Sequence, residues 1–235
     1  MWVYADILSI RAVTVFSLVI GMADEQFEDS LRQSAFVIAS GFFIWSACAF
    51  AGGGPLGIDH RSSLDERGVW KRGNQTFLEY GGLIGDISFA LWEGGESRLG
   101  KAAWQSVDSV VLSGVVANGA KLLFGRVRPR ETEDPNQWFK QGNRSFPSGE
   151  VAELTGIVTP YVLEYGHDHP AVYALELLPA YDAVARMKSQ AHWQTDVLAG
   201  FAVGSASGYL AHQRASPVTL GLLPHGVAIG LKKQF

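Results

Sequence analysis

The chain of 235 residues has little of several features that would direct a first interpretation. It has a single cysteine, Cys48, so an intramolecular disulfide is excluded, and no cysteine pair suggests zinc binding or redox chemistry. Its six histidines form no HExxH pattern. The net charge of −4 provides no excess of positive charge, so the composition gives no reason to expect nucleic acid as a partner.

A long, uninterrupted apolar run is also missing, although a free transmembrane helix needs about 20 such residues. The apolar run 7–23 is interrupted by Arg11, and the run 35–51 is slightly short. The second run ends in Ala-Phe-Ala, a small-residue pattern like a signal-peptidase site. We interpret residues 1–54 as a hydrophobic signal or membrane anchor. A membrane-embedded hairpin and a buried helical hairpin of a soluble protein are the alternatives.

The rest of the chain is predicted to be mostly helical. Hydrophobic residues make up 47% and charged residues 18%, which is enough to bury a sizeable core. After a polar, glycine-rich loop over 55–74, apolar residues recur at intervals of three and four, which predicts helices over 76–92, 102–124, 150–165, 170–186 and 193–213. We therefore expect one all-α helical domain over 55–215. Residues 216–235 alternate around Pro224-His225-Gly226, which predicts a short β-hairpin tail.

The first candidate site segment contains Lys121, Arg128 and Pro129. The two cations are seven residues apart, so on a continuous helix both would lie on one face. Pro129 would end that helix at Arg128. The loop from 129 to 147 is polar and long, and loops of this length are often functional. A basic pair of this kind is also typical of a solvated helix face.

The second segment contains Ser148 and Gly149. Ser148 is a suitable N-cap for the apolar helix that follows, and Gly149 leaves room for an anion to approach the backbone. Free N–H groups at a helix start, together with the helix dipole, favour anion binding. An ordinary capped helix is the alternative interpretation.

The third segment contains Arg186, His192 and Asp196. His192 and Asp196 are four residues apart, so they would share a face of a helix. A carboxylate at one imidazole nitrogen fixes the tautomer and leaves the other nitrogen free to attack. Arg186 provides a planar guanidinium suited to phosphate oxygens. A structural His–Asp contact is the alternative.

Taken together, the three segments resemble the three-part signature of the type 2 phosphatidic acid phosphatase superfamily. That signature has lysine, six residues and arginine-proline, then proline-serine-glycine-histidine, then serine-arginine, five residues, histidine, three residues and aspartate. The first part matches in full, and the third matches except that Ala185 replaces the serine. The second matches at Pro147, Ser148 and Gly149 but has Glu150 in place of the histidine. The resemblance covers roughly residues 75–213.

The resemblance implies a helical bundle of the kind found in this superfamily and a mechanism without metal or cofactor. His192 would attack phosphorus and form a phosphohistidine, with Asp196 orienting it and stabilising its charge. Lys121, Arg128 and Arg186 would hold the phosphoryl oxygens, assisted by Ser148 and the N–H of Gly149. Three cations around a transferring phosphoryl group would supply the electrostatic stabilisation that this reaction needs.

Glu150 departs from the pattern, because the family histidine at this position resembles the acid that protonates the leaving group. A glutamate can do this only if its pKa is raised, and neighbouring cations should lower it. Four interpretations compete. Glu150 could be a working carboxylic acid, or the leaving group could need no acid, as a pyrophosphate does not. The enzyme could also be weakened, or the glutamate could be an engineered substitution. We favour the working acid, so Glu150 counts as a candidate catalytic residue.

The sequence therefore predicts a hydrolase of phosphomonoesters or diphosphates in a bacterial-type cell envelope, at the inner membrane or in the periplasm. The apolar N-terminus favours a lipid phosphate as substrate and association with the membrane. The alternatives are a soluble periplasmic acid phosphatase acting on small phosphoesters, a vanadate-dependent haloperoxidase, and a non-catalytic phospholipid-binding relative.

Overall fold

In a computed structural model of the protein, the described residues run from 53 to 213, followed by two strand segments. Residues 1–52, and with them nearly all of the predicted signal or anchor, lie outside the described residues. The elements between 53 and 213 are helical, which confirms the all-α prediction. They are α1 (Arg72–Glu93), α2 (Arg98–Phe124), α3 (Gly149–Tyr165), α4 (Leu177–Lys188) and α5 (Gln194–Gln213), with 3-10 helices at Gly68–Trp70 and Pro170–Glu176.

The ends of α2 follow from local side-chain and backbone chemistry. The side chain of Ser97 accepts a hydrogen bond of 2.9 Å from the N–H of Gly100, which caps the first turn. Gly125 ends the helix in the left-handed conformation, with φ of 45°, and its N–H donates to the carbonyl of Lys121. The predicted continuation of this helix to Arg128 is therefore wrong. Lys121 lies in the last turn, whereas Arg128 lies in the loop that follows.

The segment predicted as one helix over 170–186 is divided. Pro170–Glu176 forms a 3-10 helix, and α4 begins at Leu177 and extends to Lys188. Proline at the first position fixes the backbone angle there and donates no hydrogen bond, so it is well suited to the start of such a segment. The division places Arg186 in the last turn of α4.

The core of the fold lies where α3 meets α4 and α5. Val151, Ala183, Met187, Val197 and Phe201 form one buried apolar cluster that joins these three helices. The N–H of Ser148 donates a hydrogen bond of 2.9 Å to the backbone oxygen of Asp196. The start of α3 is thereby tied to the start of α5.

Three glycines on α5 allow α3 to approach closely. A Cβ atom at Gly200 would lie 2.7 Å from the backbone oxygen of Ser148, and one at Gly204 would lie 2.5 Å from that of Ala152. At Gly208 the nearest atom would be a side-chain carbon of Thr159 at 2.4 Å. These separations are too short for a methyl group, so the two backbones are in direct contact along this face.

Beyond the helices, β1 (Val218–Leu223) and β2 (Gly226–Leu231) pair in antiparallel register, with Val218 opposite Leu231. Their side chains and the residues between them lie outside the described part of the chain. The predicted C-terminal hairpin coincides with these strands and stays a prediction, as does the division of the chain into residues 1–54, 55–215 and 216–235.

Candidate active site

His192 is buried between the end of α4 and the start of α5, with 4% of its surface exposed. Its Nδ1 lies 2.6 Å from the backbone oxygen of Ser145. Because a carbonyl oxygen only accepts hydrogen bonds, Nδ1 carries the proton and Nε2 keeps its lone pair in the neutral ring. The imidazole therefore has the tautomer that a nucleophilic Nε2 requires.

Asp196 acts on His192 from a greater distance than a direct hydrogen bond allows. Helix α5 begins at Gln194, so His192 precedes the helix and Asp196 lies in its first turn. Oδ2 of Asp196 is 3.8 Å from Nδ1 of His192, which is an ion-pair separation. The tautomer is therefore set by the carbonyl of Ser145. Sequence reasoning missed this contact, because a backbone oxygen has no residue-type pattern.

The environment keeps His192 neutral. Burial lowers the pKa of its imidazole to about 4, and the charges of Arg186 and Arg128 act in the same direction against the raising effect of Asp196. At neutral pH the ring is therefore uncharged, as a nucleophile must be. Arg128 and Arg186 come from separate segments, and the effect of both charges on the pKa of His192 reflects their position near its ring.

The cations and the start of α3 meet in one place. A Cβ atom built on Gly149 would lie 2.4 Å from Nζ of Lys121, so the ammonium rests directly on the Gly149 backbone. Burial lowers the pKa of Lys121, and the charges of Arg128 and Arg186 lower it further. The structure thus brings together the three cations that the sequence predicted to hold a phosphoryl group.

Two hydrogen-bonding atoms in this place have no partner among the described residues. They are Oγ of Ser148, which is fully buried, and Nε of Arg186. Ser148 holds the predicted N-cap position of α3, but its side chain makes no capping hydrogen bond. Buried polar atoms are normally satisfied, so an unpartnered hydroxyl and an unpartnered guanidinium N–H indicate space for an acceptor such as a phosphate oxygen.

Glu150 lies beside these groups as a paired carboxylate. Its two oxygens accept hydrogen bonds of 2.6 and 2.9 Å from Arg72, and Oε1 lies 3.3 Å from Nη2 of Arg186. Burial by itself raises the pKa of Glu150, but the bonds from Arg72 and the charge of Arg186 outweigh it and leave the pKa lowered. Its predicted role as a general acid stays a prediction, and its pairing favours the ionised form.

A cleft of about 310 Å³ opens beside this group, and its walls include Arg72, Arg128, Arg130, Glu150 and Arg186. Four guanidinium groups on one cleft make it strongly attractive to anions. Arg72, like the buried pair Arg126 and Asp59, was not singled out by the sequence. Arg126 stands two residues before Arg128, and it donates to the carboxylates of both Asp196 and Asp59.

Comparison with known proteins assigns this constellation to a family. Residues 102–218, which contain every site residue predicted from the sequence, match the model of the PAP2 superfamily. The chain belongs to the PAP2 superfamily. The three segments that match the signature lie at the end of α2 and in the loop after it, at the start of α3, and from the end of α4 to the start of α5.

Two known proteins are similar to this PAP2 protein. Over 122 residues it is 30% identical to the lipid A 1-phosphatase of Porphyromonas gingivalis, which covers 52% of the chain and 25% of that protein. The chain therefore spans about a quarter of the length of this relative. The crystal structure of Aquifex aeolicus LpxE superposes with a TM-score of 0.47 at 20% identity, over 63% of the chain and 88% of that structure.

Proposed function

We propose that the protein is a metal-independent phosphatase that hydrolyses a lipid phosphomonoester or diphosphate through a phosphohistidine on His192. The observation that carries the proposal is the state of the His192 ring. Its Nδ1 proton is held by the Ser145 carbonyl at 2.6 Å, its pKa is low, and its Nε2 is the atom with a lone pair. Membership of the PAP2 superfamily supports the same chemistry.

The reaction follows from the charges around His192. Lys121, Arg128 and Arg186 neutralise the phosphoryl oxygens, and the unpartnered Ser148 hydroxyl can donate to them. The N–H of Gly149, the first residue of α3, has no partner within its own helix and can donate as well. Nε2 attacks phosphorus, and the bond to the leaving oxygen breaks. The positive charge that forms on the imidazole is stabilised by Asp196, 3.8 Å from Nδ1. Water then attacks phosphorus and releases the neutral histidine.

A lipid as the substrate is supported by the surface of the helices that lead to the site. Among the described residues, α2 is the one helix long and apolar enough to cross a bilayer by length and composition, and 28% of its most apolar window is buried. Exposed apolar side chains occur on both α1 and α2, including Phe77, Ile84, Trp92, Val115 and Leu122. Large exposed apolar surfaces are typical of protein or membrane contacts.

The name of the Porphyromonas gingivalis relative also favours a lipid-linked phosphate and, with it, a location at the cell envelope. Membrane association and the envelope location are part of the proposal.

The proposal is tested by trapping the intermediate. His192→Ala should lower kcat by at least about 10³-fold, because Nε2 of His192 is the atom that forms the covalent bond to phosphorus in this mechanism. The variant should also fail to retain ³²P after acid-free quenching with labelled substrate. His167→Ala, at a fully exposed histidine, is the matched control and should behave as wild type. A labelled His192→Ala protein would refute the phosphohistidine, and loss of activity with EDTA that a divalent ion restores would refute metal independence.

A further inference from the structure

Glu150 occupies the position where the superfamily signature has a histidine, and its contacts give that position a different chemistry. Nη1 of Arg72 donates to Oε2 at 2.6 Å, and Nη2 donates to Oε1 at 2.9 Å. In this two-pronged geometry both carboxylate oxygens act as acceptors. A carboxylic acid that donates a proton would have to release at least one of these bonds. The side chain next to the phosphate-binding residues is therefore arranged to hold a cation.

Arg72 is held in the site from several directions. It lies in the first turn of α1, 78 residues before Glu150 in the chain. Oε1 of Gln75, one turn later, accepts from Arg72 at 3.3 Å and from Arg186 at 3.0 Å, so it joins the two guanidinium groups. Glu79 lies 3.6 Å away on the same helix. The side chain of Arg72 is nevertheless 47% exposed and lines the cleft, so Arg72 remains accessible to a ligand.

We propose that Arg72, held by Glu150, faces the leaving-group oxygen of the substrate, and that the site consequently prefers phosphoanhydrides to simple alkyl phosphates. This inference rests on the proposed phosphatase function and names the substrate class of the same site. A fixed guanidinium stabilises an oxyanion but transfers no proton to it. The preferred leaving group is therefore one that is stable as an anion, as the inner phosphate of a diphosphate is.

The steps balance without an acid. Nε2 of His192 bonds to the terminal phosphorus, and the bridging P–O bond breaks with its electron pair remaining on the leaving phosphate. That phosphate departs as an anion paired with Arg72. Water then attacks the phosphohistidine, the P–N bond breaks, and both hydrogens of the water end on the dihydrogen phosphate that is released. Neither step takes a proton from Glu150.

Without a general acid, the site should hydrolyse substrates with strongly basic leaving groups slowly. General acid catalysis contributes about 10²–10⁴-fold to a reaction whose leaving group needs a proton. An alkyl phosphate, which leaves as a strongly basic alkoxide, loses that contribution here, whereas a diphosphate does not need it. Within a series of aryl phosphates, the rate should therefore rise steeply with the acidity of the phenol.

The experiment compares the full-length protein, in detergent, on farnesyl diphosphate, farnesyl monophosphate and a series of aryl phosphates of graded phenol acidity. We expect kcat/KM for the diphosphate to exceed that for the monophosphate by about 10²-fold or more. Arg72→Ala should steepen the dependence on leaving-group acidity, and Arg72→Lys, which keeps the charge, should give an intermediate slope. Glu150→His, which supplies an acid, should flatten it and raise monophosphate turnover.

The control is Arg67→Ala, because the Arg67 side chain is 93% exposed and should leave every rate unchanged. Thermal melts of both Arg72 variants separate loss of folding from loss of chemistry. An equal loss on all substrates, with an unchanged slope in both Arg72 variants, would overturn the role of Arg72. A wild type that hydrolyses the monophosphate as well as the diphosphate would overturn the substrate class. A folded wild type with no turnover on any substrate would instead refute the proposed function.

Discussion

The guanidinium of Arg126 donates a hydrogen bond of 2.6 Å to Oδ1 of Asp196, and neither side chain has any exposed surface. On its other side, Arg126 donates to Oδ2 of Asp59, also at 2.6 Å. Its planar group lies 4.4 Å from the ring centre of Trp138. The carboxylate that supports His192 is thus fixed by a buried cation shared with a residue of the segment that precedes α1.

This arrangement predicts a large stability effect at a residue that does not contact the substrate. Arg126→Met should lower the free energy of unfolding by about 3–5 kcal/mol, because it leaves two buried carboxylates without their counter-charge. Urea unfolding of the purified protein measures it. Arg67→Met, at an exposed arginine, should change stability by less than about 0.5 kcal/mol. An Arg126→Met protein as stable as wild type would contradict the interpretation.

The fall of kcat/KM at low pH should follow the protonation of His192. Because burial and the neighbouring arginines lower its pKa to about 4, kcat/KM should fall only as the pH drops towards 4, where the ring gains a proton. Asp196 raises this pKa, so Asp196→Asn should move this fall to lower pH as well as reduce the rate.

The second pKa of a substrate phosphate is about 6, so the substrate also titrates in this pH range. Wild type and Asp196→Asn must therefore be compared on the same substrate. The shift between them is then a property of the enzyme. A fall in kcat/KM that does not move, or that moves to higher pH in Asp196→Asn, would contradict the assignment.

Asp182 should make the protein less stable as the pH rises. Its carboxylate is fully buried, neither oxygen has a hydrogen bond within the described residues, and burial raises its pKa to about 7. The folded protein therefore keeps a proton that the unfolded chain releases near pH 4, so stability declines between about pH 4 and pH 7. The contribution is at most about 4 kcal/mol for a shift of about three pKa units.

Thermal melts at pH 5 and pH 8 measure this effect. Asp182→Asn should lose less stability than wild type between the two values, because an amide does not ionise. Glu79 and Glu176, whose pKa values are each raised to about 7 by burial, should leave a residual slope in the variant. Glu133→Gln, at an 86% exposed carboxylate, is the control. Equal slopes in wild type and Asp182→Asn would disprove the role of Asp182.

The end of α2 should distinguish lipid from soluble substrates. Leu122 and Leu123 are 73% and 74% exposed, and Phe139 is 59% exposed beside the cations Lys140 and Arg144 on a second cleft of about 340 Å³. An apolar surface edged with cations suits a bilayer with anionic headgroups.

Replacing Leu122, Leu123 and Phe139 together by serine should raise KM by about 10²-fold or more for a lipid phosphate in vesicles, since each replacement removes apolar contact with the bilayer worth roughly 1 kcal/mol or more. Turnover of p-nitrophenyl phosphate should not change. Leu64→Ser, at an apolar residue 61% exposed in the loop before α1, is the control. Equal losses on both substrates would indicate damage to the fold instead.

The sequence predicts best what depends on near neighbours. The helices follow from apolar periodicity, and the motif residues are found because their spacing along the chain is fixed. The apolar pattern over 102–124 predicts the end of α2 at Phe124 correctly, whereas the expected continuation to Arg128 before Pro129 extends four residues too far, because Gly125 ends the helix in a left-handed conformation. The signal was present, since glycine is the usual residue just after a helix.

Contacts between distant segments could not be predicted. Arg72 meets Glu150 across 78 residues, and Asp59 meets Arg126 across 67. Neither pair has a sequence spacing that marks it, because such contacts depend on how the helices pack. Glu150 was correctly expected to have a lowered pKa, but the main cation responsible was expected among the motif residues and is instead Arg72.

Because α5 has glycines where it meets α3, backbone contacts set the distance between the axes of these two helices. Ser148 and Gly149 start one of these helices, and His192 lies just before the other. In the proposed mechanism, the distance between Nε2 of His192 and phosphorus therefore depends on how closely the two helices pack. One added methyl group at Gly204 would push the two helices apart at Ala152, about one turn after Ser148 and Gly149. A larger residue at Gly200, Gly204 or Gly208 should therefore lower the rate of turnover, although none of these three glycines takes part in the chemistry.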